Sequence, residues 1–256
     1  MNILGIDIGG SGIKGALVDT DKGSLLTDRL RIPTPQPAKP KPMIQAIQTI
    51  VKHFDYQGPI GVGYPGVVVD GVTRTAANVH NDWIDYPAAR NIALATNCET
   101  IVRNDADVAG FAEMFHGAGR GVPGVVMIFT LGTGIGSCMF VNGHIVPNLE
   151  LGHLFLRDQK KDAEFFAADR IREENSLTWE EWGARLNVYF QHIESLFSPN
   201  LFIIGGGVSK QHKNFLKYIQ VRANIVPAQL RNEAGIVGAA LAAPPGEAGG
   251  GISRTR

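Results

Sequence analysis

NILGIDIGGSGIKGALV, residues 2–18, decides the reading of the chain, because VVMIFTLGTGIGSCMFV at residues 125–141 repeats its design. Each is an apolar run, a glycine-rich turn and a second apolar run. In the first copy, residues 3–8 predict a strand, Gly9, Gly10, Ser11 and Gly12 a reversal through positive φ, and residues 13–18 the hairpin partner. In the second, residues 125–131 and 137–141 flank Gly132, Thr133, Gly134 and Gly136. A hairpin tip of this kind gathers backbone N–H groups and a hydroxyl into a small concavity without side chains in the way, which suits a phosphate. One such tip is an ordinary β-turn. Two facing each other across a cleft would hold a polyphosphate chain or a nucleotide tail from both sides. Asp7 closes the first strand beside its tip, where a carboxylate can hold Mg²⁺ directly or through water.

The 256 residues suffice for two lobes of about 100 residues or more, and the duplicated hairpin favours that division. The expected lobes are residues 1–116, completed by a helix at 233–243, and residues 117–232, with GAGRGVPG at 117–124 as the connector and 244–256 as a disordered tail without core residues. Hydrophobic residues at 44% and charged residues at 19% are a globular composition. Lys and Arg total 24 and so do Asp and Glu, so no global basic field points to nucleic acid or an anionic membrane. Cys98 and Cys138 are too few and too far apart for a disulfide framework or a Cys-rich zinc site. No run of about 18 apolar residues occurs and no leader-like segment opens the chain, so a cytoplasmic location is expected.

Between the hairpins, residues 25–32 predict a third strand, and the prolines of TPQPAKPKP at 34–42 an extended surface loop. Met43, Ile44, Ile47, Ile50, Val51 and Phe54 recur at helical spacing, and residues 60–63 form a buried strand that ends in the turn Tyr64, Pro65, Gly66. Asn78 and Asn81 fall in a polar, irregular stretch and read equally as turn residues. Asp85 with Pro87 predicts an N-cap and first-turn proline for a helix through residue 95. A strand at 100–103 then meets a helix at 106–115, with Asn104 and Asp105 at the junction. Capping alone explains either residue. The same geometry would keep Asp105 ionised at a helix N-terminus, able to accept a proton from a bound hydroxyl, with Asn104 orienting the groups beside it.

Beyond the second hairpin, Glu150 and His153 are spaced for one side of a turn, where they can ligate a metal or grip hydroxyls. Without cysteines nearby, hydroxyl recognition is the expectation. Residues 178–197 are the clearest helix, with Thr178 and Glu181 as a capping box and Trp179, Trp182, Leu186, Tyr189, Ile193 and Leu196 as an apolar stripe for core or subunit contact. A strand at 201–204 runs into Gly205, Gly206 and Gly207, which let a phosphate approach the backbone, and Lys210, Lys213, Lys217 and Arg222 follow on an expected helix.

DIGGSGIKG at 7–15, YPG at 64–66, NDAD at 104–107, LGTGIGS at 131–137, ELGH at 150–153 and IGGGVSK at 204–210 resemble, in order and spacing, the ROK sugar kinases of the actin and hexokinase superfamily. RTAANV at 74–79, LFSPNLFIIGGGVSK at 196–210 and VPAQLRNEAGIVGAALAA at 226–243 look like that family's polyphosphate glucokinases and glucomannokinases. The resemblance implies an α/β, two-lobed, ribonuclease-H-like fold closing over sugar and donor. It implies Asp105 as general base on the glucose 6-hydroxyl, with Gly66, Asn78, Asn104, Glu150, His153 and Glu164 as sugar ligands. Asp7, Ser11 and Lys14 would serve Mg²⁺ and the transferring phosphate beside Gly9 and Gly10. Gly132, Thr133 and Gly134 would hold the donor, polyphosphate or ATP, with Gly205, Gly206, Gly207 and Lys210 near its nucleotide or chain. Many ROK members carry a Cys-rich zinc motif after ELGH. Residues 154–170 hold no cysteine, so no zinc is expected and support for His153 is expected from packing. A ROK kinase for mannose or fructose and a sugar-binding protein without activity remain open alternatives, and so does a homodimer.

Overall fold

The computed structural model describes residues 1–157 and 159–244, so the expectation for the tail at 245–256 lies outside the described residues. Each hairpin starts a sheet, and the two sheets grow by the same rule. β1 (Asn2–Ile8) pairs antiparallel with β2 (Gly12–Asp19) and parallel with β5 (Ile60–Tyr64), which pairs parallel with β8 (Thr100–Asn104). β3 (Ser24–Leu25) and β4 (Leu30–Pro33) both lie along β2, giving a sheet of order β3-β2-β1-β5-β8 with β4 off that path. In the second sheet, β9 (Val125–Leu131) pairs antiparallel with β10 (Ile135–Val141) and parallel with β12 (Leu201–Gly205), giving order β11-β10-β9-β12-β13 with β11 (His144–Val146) and β13 (Asn224–Pro227) at the edges. β6 (Val68–Val69) and β7 (Val72–Thr73) form a separate two-stranded hairpin.

The parallel neighbours require crossovers, and helices supply them. α1 (Pro40–His53) joins the first hairpin to β5, α2 (Ala88–Thr96) precedes β8, and α6 (Trp179–Phe197) precedes β12. Met43, Ile47 and Ile50 of α1 are fully buried among Ile6, Ile8, Ile13 and Ile60. Trp182, Tyr189 and Phe190 of α6 are fully buried, Tyr189 and Phe190 against Phe129 and Trp182 against Phe215, each such aromatic contributing about 2–3 kcal/mol of burial. Between the sheets lie α3 (Asp105–His116) and α8 (Ala234–Ala242), packed on each other; α8 covers β1, β5 and β2, and α3 also meets β10. α8 is apolar all round and built of small residues because it is enclosed on every side. A Cβ at Gly61 would strike the Ala239 carbonyl, and one at Gly238 the Val108 carbonyl, so glycine is what lets α8 lie directly on the backbone of β5 and α3. α4 (Glu164–Ala167), α5 (Asp169–Glu174) and α7 (His212–Phe215) are short. Among the described residues no helix is long and apolar enough to cross a membrane.

Several local expectations change. The strand expected at 25–32 is broken into β3 and β4, because the Thr27 Oγ1 accepts the Leu17 N–H at 3.2 Å where a strand carbonyl would have stood. Pro40 and Pro42 begin α1 instead of ending a loop, since the first turn of a helix needs no N–H partner there. The preceding stretch is not all surface: Ala38 and Thr34 are buried, and Ala38 accepts the Trp83 indole N–H at 3.0 Å. Asp85 does not cap α2; it adopts φ +56° and pairs with Arg74 at 2.7 Å, leaving Pro87 at the cap. The glycines of the two tips do not use positive φ. The stretch after Gly207 is a 3₁₀ turn, α7 and another 3₁₀ turn, so its basic residues share no helix face. The capping box at Thr178 is present, and the stripe on α6 is the chain's own core except for the exposed Leu196 and the half-buried Trp179.

Candidate active site

The parallel strands of both sheets end on one cleft of about 700 Å³. Asn104 closes β8 and caps α3: its Oδ1 accepts the N–H groups of Ala106 and Asp107 at 2.8 and 3.1 Å, while its Nδ2 donates to Gly66 O at 3.1 Å. It is buried, and its carbonyl oxygen is committed to the cap. Asp105 follows as the first helical residue and lines the cleft. Its side chain is open to the cleft, and desolvation by the protein around the cleft floor pushes the carboxyl up to about 7. Repulsion from Asp7 adds to the rise, and the Ala106 N–H opposes it. The helix N-terminus therefore does not hold Asp105 firmly ionised, as the sequence suggested. It leaves a carboxyl poised near neutrality, where proton transfer in both directions is easiest.

One wall of the cleft comes from the first half: Gly66, Thr75 and Asn78. Gly66 is held at φ +158°, where a Cβ would press on Thr75. Opposite stand Glu150, His153 and Glu164. A 3₁₀ turn, Leu151–His153, brings the His153 Nε2 to 4.0 Å from the Glu150 Oε2. The His153 Nδ1 lies 2.9 Å from the Asp162 Oδ2, and since a carboxylate only accepts, this nitrogen carries the hydrogen. That bond raises the His153 pKa, against a smaller opposing effect of burial. Support for His153 thus comes from a carboxylate and not from packing; the ring is 54% exposed. Asp162 was missed in sequence because it reaches His153 only through the chain reversal that pairs Phe155 with Asp162. Glu164 opens α4, and its Oε2 accepts the Ile135 N–H at 2.6 Å, tying the acid to the second tip.

The second tip, Gly132, Thr133 and Gly134, lines the cleft with Thr130 behind it. A Cβ at Gly134 would collide with the Glu164 carboxylate, whereas one at Gly132 meets only open space. Arg170, also unforeseen, donates its backbone N–H to Gly132 O at 3.1 Å and its Nε–H to Thr133 O at 3.2 Å, setting a cation at this tip. Gly206 and Gly207 line the cleft beside it. Gly206 takes φ +82° and lies so close to the Leu131 backbone that no side chain fits. Gly205 is buried at the end of β12, and neither it nor Lys210 reaches the cleft lining. Arg222 is turned away, paired with Glu194 at 3.4 Å.

The first tip adjoins the cleft without lining it. A Cβ at Gly10 would reach the Asn78 side chain, and Thr34 Oγ1 donates to Gly9 O at 2.6 Å. Arg31 donates to Ser11 O at 2.8 Å and lies over Gly12. Asp7 and Lys14 face each other across β1 and β2 at 3.4 Å; burial outweighs that attraction and raises the Asp7 pKa. Among the described residues no three metal-ligating side chains gather.

Two parallel-stranded halves built on glycine hairpins, meeting at a carboxylate poised near neutrality, define the architecture of a phosphotransfer cleft. The ROK family model matches residues 3–164, and the chain belongs to the ROK family. It is 45% identical over 240 residues to a polyphosphate glucokinase of Mycobacterium tuberculosis, covering 93% of this chain and 90% of that protein. Its structure superposes with a TM-score of 0.88 on the inorganic polyphosphate/ATP-glucomannokinase from Arthrobacter sp. strain KM, at 46% identity over 94% of this chain and 97% of that one. A ROK family glucokinase from Streptomyces griseus, solved with glucose and AMPPNP, shares the two-lobed fold at a TM-score of 0.79 and 24% identity, over 94% of this chain and 98% of that one.

Proposed function

We propose that the chain is a glucokinase that transfers a phosphoryl group from inorganic polyphosphate, ATP or both to the 6-hydroxyl of glucose in the cytoplasm. The observation that carries this reading is Asp105, with a pKa raised to about 7, on the floor of a cleft whose sides carry hydroxyl-gripping acids and a glycine tip. Glu150, His153, Glu164, Asn78, Gly66 and Asn104 form the sugar end. The Gly132–Gly134 tip, Thr130, Arg170, Gly206 and Gly207 receive the donor. The 6-oxygen attacks the terminal phosphorus, its proton passes to Asp105, and the bond from phosphorus to the donor's bridging oxygen breaks as the remaining chain or nucleotide leaves. Little covalent work falls to the protein in such a transfer, so positioning and charge neutralisation dominate.

Mg²⁺ fits the residues at the first tip. It needs one or two carboxylates, with water and donor phosphates completing its coordination, and Asp7 offers one, leaving Asp105 free as the base. Bound there, the ion would neutralise charge on the transferring phosphate. Lys14 and Ser11 stand beside Asp7 for the same phosphate. The test is phosphorus NMR of glucose incubated with purified chain, Mg²⁺ and either long-chain polyphosphate or ATP. Glucose 6-phosphate should form with at least one donor. A product carrying phosphate at another carbon would overturn the assignment of the 6-hydroxyl. With polyphosphate, activity should fall more steeply with salt than with ATP, because more phosphate charges are neutralised on binding.

A further inference from the structure

Asn148 stands two residues before Glu150, in the loop that follows β11, and takes φ +59°. Its side-chain amide does what a neighbouring β-strand would do. The Oδ1 accepts the Val68 N–H at 2.9 Å and the Nδ2 donates to Val68 O at 2.9 Å. β6 pairs on its other side only with β7, so this amide completes a strand that has no sheet of its own. Val68 is two residues from Gly66, and both belong to the segment that carries Thr75 and Asn78 into the cleft. The backbone N–H of Asn148 donates in turn to the Asp107 Oδ2 at 3.0 Å, and Asp107 is 1% exposed on α3, two residues from Asp105. Asn104 adds a parallel tie from the same helix to Gly66.

We propose that Asn148 is a positioning residue that clamps the two sugar-binding walls together across the cleft and sets both at a fixed distance from Asp105. The inference rests on the reading of that end of the cleft as the sugar site. With the walls tied through Val68, the sugar end is assembled before substrate arrives. The clamp also explains a left-handed residue here: asparagine tolerates that backbone and brings the amide, whereas glycine would bring only the backbone.

Asn148→Gly separates the two contributions, because it keeps the backbone and its bond to Asp107 and deletes only the amide. Hydrogen exchange of the full chain without ligand should show the Val68 N–H exchanging on the order of ten-fold faster, the scale of losing two neutral hydrogen bonds. In steady state the KM for glucose should rise on the order of ten-fold, with kcat and the donor KM within about two-fold. Asn148→Asp, which keeps the acceptor for Val68 N–H but loses the donor for Val68 O, should not restore the glucose KM. Unchanged Val68 exchange would overturn the clamp whatever the substrate is. Equal rises in the glucose and donor KM with a lowered melting temperature would overturn it too, by showing a merely structural role. Absence of glucose phosphorylation by the unaltered chain would instead refute the proposed function and leave the exchange measurement to decide the clamp.

Discussion

The two glycine tips close equivalent antiparallel hairpins, with four residues between the last paired positions of the first and three in the second, and they differ in the side chains they carry. One step back from the last pair of each hairpin, the first tip places Asp7 opposite Lys14, and the second places Thr130 opposite Gly136. Their supports also differ. The first is held by Thr34 and Arg31 from the neighbouring β4 edge, and the second by Glu164 and Arg170 from α4 and α5. The two hairpins thus share a strand pairing while their tips differ in length and in side-chain chemistry. The charged pair at the first tip lies on the hairpin strands themselves, as Asp7 and Lys14, whereas at the second the strands offer a hydroxyl and a glycine and the charged groups, Glu164 and Arg170, reach in from α4 and α5.

The sharpest way to break this contrast is to neutralise the equivalent positions. Asp7→Asn should lower kcat about 10²-fold, the scale of losing an electrostatic contribution at the reacting phosphate, while Thr130→Ala should change it by no more than about five-fold. Comparable losses in steady-state kinetics would show that the tips share the charge work. The second tip can be probed by adding a methyl. Gly132→Ala meets no protein atom, so its melting temperature should stay put while the donor KM rises about ten-fold, because the methyl occupies space reserved for phosphate. Gly134→Ala must displace Glu164, so glucose and donor KM should rise together.

A smaller effect concerns pH. Asp105 acts as a base when deprotonated, and its pKa is raised from 3.8 to about 7, so kcat/KM should climb through about pH 7 and level above it. The same rise means this group's contribution to stability is present below 3.8 and lost as pH rises through about 7. Because Asp7 lifts Asp105, the residual activity of Asp7→Asn should show its acid limb at lower pH. An unmoved limb would place the titration elsewhere. The smallest effect is expected from reversing charge at Lys213 and Lys217: a modest rise in the KM for polyphosphate at low salt, with that for glucose unchanged. Both side chains are exposed, and Lys217 lies 4.9 Å over the Tyr218 ring, so screening should erase the difference at high salt.

The repeated hairpins, α1, α6 and the Asn104–Asp105 junction were legible because apolar periodicity and turn residues are local signals. What was not legible depends on distant partners. Nothing near Asp105 in sequence announces the burial that raises it, and the neighbours of Asp162 do not mention His153. No local pattern marks Asn148, since its Val68 partner is 80 positions away. The tip glycines were expected to use positive φ and do not: Gly12, Gly134 and Gly136 are instead small where Arg31, Glu164 and Thr130 press in.

The central claim is that Asp105, set between the two glycine tips, takes the proton of a glucose hydroxyl. A coupled assay of glucose 6-phosphate formation, run on the purified chain and on Asp105→Asn with Mg²⁺ and each donor, tests it directly. The account predicts turnover with at least one donor and a loss of about 10²-fold or more in the variant, with glucose affinity changed less. Near-normal turnover by Asp105→Asn would contradict it.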